Sequence, residues 1–454
     1  MKNFKLSSVH LIPLSFLGAI LIGTILLSLP VSSAGGTWTP PIDALFTAVT
    51  SVCVTGLVVV DTYSYWSLFG QVVILLLIQV GGLGVITVFS TLMLFAHKHF
   101  SLSDRLTLRD AMNLDTISGL LGFLAKVIRG TVIVELTGAL FYAIAFVPRF
   151  GFRRGIWVSF FTAVSAFCNA GIDILGPNSL IPFRDDPLIL IVTMALIVTG
   201  GLGYVVWVDI FGKTFARQEE VVPPKEIFRH FTEHTKLALT LTLALIAAGT
   251  AVIFAAEFRN PETIGTFPLP LAFLNSLFES VTFRTAGFAA IPQGSLTDVS
   301  CIAAFLLMFI GGSPIGTAGG IKTTTFYFYI LNIMTYIRGE NSAHVYKRSI
   351  SREQMMKATA IVEVSMGTVL ALTFLLTATN PFGFTDSLFE VMSACATVGL
   401  TRGITPLLNT AGKLIIIAGM YLGRIGPISM ALFLAGGRKE KTPVHFPEGN
   451  FFIG

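Results

Sequence analysis

A short motif that ends in glycine occurs four times along this chain of 454 residues, and its spacing is almost constant. Successive copies of the final glycine lie 115, 116 and 112 residues apart. The four glycines are Gly56, Gly171, Gly287 and Gly399. Self-similarity at a fixed period is typical of a fold built from repeated units. The chain is therefore predicted to contain four copies of one structural unit.

Each copy of the motif lies between two long apolar stretches, which indicates a membrane protein. Hydrophobic residues make up 53% of the chain and charged residues only 12%, whereas a soluble protein carries about 25% charged residues. A helix needs about 20 apolar residues to cross a bilayer. The stretches before the glycines lie at about 9–30, 127–147, 237–256 and 358–378, and those after them at about 70–95, 187–211, 301–333 and 413–435.

A shorter run precedes each glycine, at residues 42–51, 156–166, 271–282 and 385–394. Helices of this length cannot cross a bilayer, so the runs are interpreted as half-helices that enter the membrane and return. The predicted fold class is an all-α polytopic membrane protein with eight transmembrane helices and four re-entrant pore helices, in four pseudo-fourfold membrane–pore–membrane units. The expected units are residues 1–97, 98–212, 213–335 and 336–436, followed by a tail at 437–454.

The distribution of positive charge predicts the orientation of the chain. Lys and Arg concentrate near 97–126, 213–236 and 335–357 and in the two terminal segments. Because cytoplasmic loops carry such an excess, both termini are expected in the cytoplasm and the glycine turns toward the outside. Loop bias also explains the net charge of +5 better than nucleic-acid binding does. The amino-terminal span resembles a signal peptide, but unit 1 needs it as its first helix, so we expect it to be retained.

The four glycine turns are the candidate selectivity filter for a small cation. A desolvated cation needs replacement oxygens, and a ring of backbone carbonyls supplies them without a net charge. Glycine permits the backbone conformations that aim carbonyls inward, and the carboxyl ends of four half-helices add negative potential at the same place. A ring of Asp or Glu is then not required. The predicted filter residues are Val54, Thr55, Gly56, Asn169, Ala170, Gly171, Thr285, Ala286, Gly287, Thr397, Val398 and Gly399.

The third span after a filter glycine contains a segment that cannot be one continuous helix. Residues 311–325 hold five Gly and a Pro at mid-membrane depth, and broken helices at this depth mark transport pathways. We interpret the segment as a flexible gating loop below the filter. The predicted gate residues are Gly311, Gly312, Ser313, Pro314, Gly316, Thr317, Gly319, Gly320, Lys322 and, on the last span, Arg424. The related tetrapeptides at 81–84 and 200–203 are attributed to close helix packing alone.

Three cations lie inside the predicted membrane region, where charge is costly and is a functional hypothesis by default. Arg424 is expected to set an electrostatic barrier and to bind the gating loop, with a structural pair to a carboxylate as the alternative. Lys322 has the same role or simply extends to the cytoplasmic face. Arg284 is expected to form a structural pair with a pore-helix acid such as Glu279 or Glu390.

The motifs together resemble the Trk/Ktr/HKT superfamily of potassium transporters over the full length of the chain. The tail from His445 to Asn450 and the absence of an extra helix pair before unit 1 make the chain similar to the membrane subunit of the bacterial Ktr potassium-uptake system. Gly at all four filter positions is as in members that select potassium, whereas HKT members that carry mainly sodium often have Ser at the position of Gly56.

The resemblance implies potassium uptake across the bacterial plasma membrane through a channel-like pore, with potassium held at the filter carbonyls and an intramembrane loop as the gate. It also implies a homodimer and a cytosolic ring of nucleotide-binding regulatory subunits that respond to ATP and ADP. No cofactor of the chain itself is expected, and sodium as a stimulating ion is left open.

Two other classes of function fit the sequence less well. An alternating-access cation symporter predicts inverted repeats, whereas all four units here have one orientation. An intramembrane enzyme needs a nucleophile with a base or clustered His and acids, and no such cluster appears in the sequence. A phosphate-binding loop is also disfavoured, because Ile321 separates Gly320 from Lys322. The chain is therefore not expected to be an enzyme.

Overall fold

A computed structural model describes residues 8–84, 120–215, 228–340 and 342–426, and almost all of its regular structure is helical. In chain order the helices are α1 (Ser8–Ser28), α2 (Pro41–Val52), α3 (Thr62–Tyr65), α4 (Leu68–Leu83), α5 (Leu120–Phe150), α6 (Phe152–Phe167), α7 (Pro187–Gly201), α8 (Tyr204–Phe215), α9 (Glu233–Glu257), α10 (Leu269–Thr282), α11 (Asp298–Phe309), α12 (Thr323–Ile337), α13 (Arg352–Thr379), α14 (Phe384–Cys395) and α15 (Thr410–Ile425). A small hairpin pairs β1 (His344–Val345) with β2 (Arg348–Ser349). Single 3-10 turns lie at Pro30–Ser32, Ile181–Phe183, Gln293–Ser295 and Thr405–Leu407.

Four helices in the described part are each long and apolar enough to cross a membrane: α1, α5, α9 and α13. They occupy the stretches that the sequence predicts before the four glycines. Large apolar side chains on their outer faces are exposed, including Leu21, Leu140, Leu243 and Phe374. Exposed apolar surface of this extent is typical of helices that face lipid. The chain is therefore a multi-pass membrane protein.

The four short helices predicted before the glycines are α2, α6, α10 and α14, which we call the pore helices. Each packs against the long helix that precedes it in the chain. Each also carries a fully buried phenylalanine at a matching place, about ten residues before its glycine: Phe46, Phe161, Phe278 and Phe389. The repeat in the sequence is thus also present in the packing of the core, because each pore helix buries its own phenylalanine at the equivalent position.

The helices that follow the glycines end or bend at the repeated Gly tetrapeptides. α4 ends before Gly84 and α15 before Gly426, with φ of +87° and +90° at these glycines. α7 and α8 meet at a bend of 95° beside Gly203, which also has a positive φ. The interpretation of residues 200–203 as close packing alone is therefore wrong, because Gly203 adopts a left-handed conformation at the bend.

Several parts of the predicted spans and loops lie outside the described residues. These are the continuations of spans 70–95 and 413–435 beyond Gly84 and Gly426, most of the loop at 97–126, residues 216–227 of the loop at 213–236, and the tail at 437–454.

The helices after the glycines connect the pore helices into a closed ring. α4 packs on α6, α7 on α10, α11 on α14, and α15 returns to α2. At this last contact Lys413 Nζ lies 2.6 Å from Asp43 Oδ1, in an ion pair that joins the fourth repeat to the first. The cyclic order places the carboxyl ends of the four pore helices around one centre.

Candidate functional site

The four repeated glycines meet at this centre in cyclic order. A Cβ placed on Gly171 would lie 2.6 Å from the carbonyl oxygen of Ala286, on the next unit. Equivalent Cβ atoms would overlap the carbonyl oxygens of Ala170, Val398 and Thr55, from Gly56, Gly287 and Gly399 respectively. Every glycine therefore touches the residue before the next glycine around the ring. A side chain at any of them would collide with backbone, and all four have positive φ, which L side chains adopt at a cost.

The residue two positions before each glycine also has a left-handed backbone. The φ angles are +56° at Val54, +57° at Asn169, +66° at Thr285 and +50° at Thr397. Such a conformation costs a non-glycine residue about 1–3 kcal/mol and persists where the surrounding structure imposes it. In each repeat φ is thus positive, then negative, then positive. The same strained conformation at four equivalent positions indicates that the four turns share one function.

The amide groups at the turns donate hydrogen bonds within their own unit. Thr55 N donates to Thr50 O at 2.8 Å, and Gly56 N donates to Thr50 Oγ1 at 2.9 Å. Val398 N and Gly399 N donate in the same way to the carbonyl and hydroxyl oxygens of Ser393. The pore helix therefore satisfies the donors of the turn and fixes its conformation.

The carbonyl groups at the turns are in the opposite situation. None of the backbone carbonyls of the twelve predicted filter residues accepts a hydrogen bond from any residue that the structure describes. Buried carbonyls almost always have a partner, so a ring of unpaired ones is unusual in a folded protein. These oxygens can serve as ligands for a desolvated cation.

Two acids on the pore helices accept hydrogen bonds from the segments that follow the glycine turns. Glu279 accepts hydrogen bonds from Ala290 N and Ile291 N at 3.3 Å and from Gln293 Nε2 at 3.0 Å. Glu390 accepts from the hydroxyl groups of Thr401 and Thr405. Both carboxylates thereby bind the segment that follows the glycine.

The predicted pairing of Arg284 with Glu279 or Glu390 is wrong. Among the described residues Arg284 forms no ion pair with either acid, and its Nη2 donates instead to the carbonyl oxygen of Gly311 at 3.0 Å. The reason is that the groups bind different segments. Both carboxylates bind the segments that follow the glycines, whereas the arginine lies at the carboxyl end of its pore helix and binds the loop. The guanidinium therefore uses a backbone oxygen as its acceptor in place of a carboxylate, and its Nε has no partner among the described residues.

Residues 311–322 of the predicted gating loop lie between α11 and α12, while Thr323–Thr325 form the first turn of α12. The loop fills the space at the break between α7 and α8. Ser313 N donates to Gly201 O at 2.9 Å and Thr317 N to Gly200 O at 3.1 Å, while Tyr204 N donates to Ile315 O at 2.8 Å. The carbonyl oxygens of Gly200 and Gly201, at the end of α7, thus accept hydrogen bonds from the loop.

The loop also contacts the predicted filter residues and the end of a pore helix. Thr317 Oγ1 donates to Phe167 O, at the end of a pore helix, and Gly319 N donates to Thr285 Oγ1 at 3.2 Å. A Cβ on Gly319 would overlap the Thr397 side chain. The loop is therefore packed directly against filter residues of two units.

Two of the predicted gate cations hold the loop by its carbonyl oxygens. Arg424 Nη1 donates to Thr317 O at 2.7 Å, and its Nη2 donates to Gly81 O at 2.5 Å. Lys322 Nζ donates to Ala318 O at 2.6 Å. The hydrogen-bond partners of Arg424 among the described residues are backbone oxygens rather than a carboxylate. Arg424 consequently bridges the loop to the helix of the first unit.

Sequence reasoning missed the glycines at which the later helices touch the pore helices. A Cβ on Gly81, Gly200 or Gly423 would overlap the carbonyl oxygen of Val52, Phe167 or Cys395, each four residues before its filter glycine. The signal for these contacts is a glycine that recurs 24 to 29 residues after each filter glycine and that, from the sequence, we interpret as close helix packing at 81–84 and 200–203 only.

The fold and the site define a class: a multi-pass membrane protein in which four glycine turns surround one centre with unpaired carbonyls. The model of the cation transport protein family TrkH matches residues 15–439, and the chain belongs to this family. The resemblance to the Trk/Ktr transporters that the motifs predict is thereby confirmed.

Named relatives match the chain along its whole length. It is 37% identical to the Ktr system potassium uptake protein B of Bacillus subtilis (strain 168), over 100% of this chain and 98% of that protein. It is also 37% identical to the potassium/sodium uptake protein NtpJ of Enterococcus hirae, over 99% and 98%. The crystal structure of the potassium transporter TrkH from Vibrio parahaemolyticus has the same fold, with a TM-score of 0.73 at 15% identity, over 96% of this chain and 86% of that one.

Proposed function

We propose that this protein takes up potassium through a channel-like pore at the centre of the four glycine turns. The observation that carries the proposal is the ring of buried carbonyls without hydrogen-bond partners. A potassium ion that sheds its water gains these oxygens in return, and because the ring is neutral the ion also leaves. The relatives from Bacillus subtilis and Enterococcus hirae are named for potassium uptake and potassium/sodium uptake, which supports the choice of ion.

The twelve filter residues have a common task in this proposal. Their carbonyls form successive rings, and the carboxyl ends of the four pore helices add negative potential that favours cations over anions. The buried hydroxyl groups of Thr55 and Thr397, which have no partner among the described residues, supply further oxygens at the same level. The filter needs no carboxylate for charge selection.

The loop at residues 311–325 closes the pathway from below in the conformation described here. Its contacts with Thr285, Phe167 and Arg424 place it against the filter, and its glycines permit it to fold away. Arg424 has two effects, since it holds Thr317 O and adds a positive charge below the filter that opposes the passage of cations. Lys322 holds the next carbonyl of the same loop.

The membrane arrangement follows from the same proposal. Each unit contributes two transmembrane helices and one re-entrant pore helix, which gives eight and four in total, with unit boundaries near residues 97, 212 and 335. Both termini lie in the cytoplasm of a bacterial cell, because the basic loops mark that side.

We further propose that the chain works as a homodimer under the control of a cytosolic ring of nucleotide-binding subunits that respond to ATP and ADP. The relatives named as proteins B and D of a Ktr system support an assembly with other components. The name of the Enterococcus hirae relative keeps sodium open as a second ion.

Uptake by a bacterium without potassium importers of its own tests the proposal. We would compare the wild-type chain with a deletion of residues 314–318, both with the regulatory partner of a Ktr system supplied. The proposal predicts growth at limiting potassium and rubidium uptake with the wild type. It predicts faster uptake with the deletion, which removes the part of the loop that contacts the end of the second pore helix and Arg424. An equally expressed wild-type chain that restores neither growth nor uptake would contradict the proposal.

A further inference from the structure

One filter strand differs from the other three in the residue that joins it to its pore helix. Three positions before the filter glycine, units 1, 2 and 4 have the small residues Cys53, Cys168 and Ala396, whereas unit 3 has Arg284. This arginine is only 7% exposed and lies at the carboxyl end of α10. A buried guanidinium at one of four equivalent positions calls for a specific explanation, because charge inside a membrane is costly.

The side chain of Arg284 donates one hydrogen bond among the described residues, and this bond goes to the neck of the gating loop, the segment where the loop leaves α11. Its Nη2 donates to Gly311 O at 3.0 Å. Gly311 N in turn donates to Ile321 O, and Ile321 N donates to Phe309 O, so the two arms of the loop are paired side by side at this point. Arg284 therefore holds the loop where it leaves α11 and where its two arms meet.

The next residue of the same strand holds the loop as well. Thr285 belongs to the filter and has a left-handed φ of +66°, and its Oγ1 accepts a hydrogen bond from Gly319 N. Two consecutive residues of one filter strand thus bind both arms of the loop. Arg424 binds the tip of the loop from a different unit and does not touch the neck.

Arg284 borders a small cavity between units 2 and 3 that has room for about one water molecule. Its lining combines polar groups of Asn169 and Thr242 with the apolar side chains of Ile197, Val198 and Val281. The Nε of Arg284 has no hydrogen-bond partner in the part of the chain that the structure describes. The guanidinium therefore lies beside a partly polar space inside the protein and is not fully fixed by hydrogen bonds.

We propose that Arg284 is a positioning residue that latches the neck of the gating loop to the filter of unit 3. Release of Gly311 then removes a constraint from Thr285, so that the gate and the filter change together. This inference rests on the proposed function, since it requires a pore that the loop closes. It assigns to unit 3 a role in gating that the other three filter strands, with small residues at this position, do not have.

The latch is tested by rubidium uptake of Arg284→Gln and Arg284→Lys, each made in the wild-type chain and in the deletion of residues 314–318. In the wild-type chain both variants are expected to raise the maximal rate by about threefold to tenfold, because one charge-assisted hydrogen bond that favours the closed loop is lost or weakened. In the deletion background they are expected to have no further effect. Arg149→Gln, which breaks an exposed ion pair with Asp186, is the matched control and is expected to leave the rate unchanged.

A labelling measurement keeps the test decisive if transport by a variant is too weak to measure. Ser313→Cys reports on the loop, and its reaction with a membrane-impermeant thiol reagent from the cytoplasmic side is expected to accelerate when Arg284→Lys is added. Equal labelling with and without Arg284→Lys, or an effect of Arg284→Gln that persists in the deletion background, overturns the latch. Absence of uptake by the wild-type chain and the deletion alike overturns the proposed function itself and the latch with it, so the two failures are distinguishable.

Discussion

Single glycines decide how closely the loop and the filter approach each other. Gly319 has no room for a side chain, since its Cβ would lie 2.7 Å from Ala396 O and would overlap Thr397. Gly201 also faces the loop, but its Cβ would stand 3.4 Å from Asn169 and 3.6 Å from Ala318, which are ordinary contacts. Two glycines of the same region therefore differ sharply in what a methyl group would do.

Gly319→Ala is expected to push the loop off the filter and to raise rubidium uptake several-fold. The methyl group collides with the backbone of unit 4, and the flexible loop yields more easily than the packed pore helix does. Gly201→Ala is the matched control, because its methyl group fits, and its rate is expected to equal that of the wild type. A rate of Gly319→Ala at or below the wild-type rate, at equal abundance in the membrane, would show that the loop does not block the pathway.

Asp173, in the segment after the second predicted filter glycine, is expected to make uptake depend on pH. It follows Gly171 by two residues, and burial raises the pKa of its carboxyl group from 3.8 to about 6, although hydrogen bonds from Ser179 and Leu175 oppose the shift. The carboxylate is charged above that pH and neutral below it. Uptake is therefore expected to fall as the external pH drops from 7 to 5, because this segment loses a negative charge that attracts cations.

Asp173→Asn removes this titration. Its uptake is expected to be low at both pH values and to change little between them, and flux measured across the external pH range in cells with buffered cytoplasm checks the result. A pH profile of the variant that matches the wild-type profile would assign the dependence to another group.

Whole elements owe their positions to contacts between neighbouring units. Each helix after a filter glycine packs against the pore helix of the next unit, and the last returns to the first. The ion pair of Lys413 and Asp43 lies at this closing contact, and both side chains are mostly buried. A partly buried pair with a short distance contributes more than an exposed one does.

Asp43→Asn is expected to weaken the contact between α15 and α2. The loss is about 1–2 kcal/mol, because the ammonium group of Lys413 keeps a polar neighbour but loses its counter-charge. The melting temperature of the purified protein is expected to fall by about 1–3 °C. Glu233→Gln, at the exposed pair with Arg348, is the control and should leave the melting temperature unchanged. Equal melting temperatures for Asp43→Asn and the wild type would show that the ring closes without this pair.

At the scale of the whole molecule, the repeat in the sequence was enough to predict the pore helices and their common centre. The nearly constant period and the length of the short runs are properties that the sequence displays directly. The contacts of the gating loop are different, because Ser313 and Thr317 bind carbonyls that become available only where α7 bends away from α8. These partners are set by the backbone conformation of a segment that is distant in the sequence, and the local sequence of the loop does not reveal it.

The error at Arg284 has a related physical origin. A partner of opposite charge is the usual expectation for a cation inside a membrane, yet the acceptor of Arg284 is Gly311 O, and those of Arg424 are Thr317 O and Gly81 O. Broken helices create unpaired carbonyl oxygens inside the protein, and these replace carboxylates as acceptors. The sequence shows where the glycines are, but it does not show which oxygens they expose.

The relative uptake of rubidium and sodium by the wild-type chain and by Gly56→Ser tests the central claim most directly. A serine side chain at Gly56 would collide with Ala170 O and would lie 3.1 Å from Gly399 Cα, so it must distort the carbonyl ring. We expect the wild type to prefer rubidium strongly and the variant to lose at least about tenfold of this preference, which corresponds to about 1.4 kcal/mol. An unchanged preference in a stable, active variant would contradict the assignment of the four glycine turns as the filter.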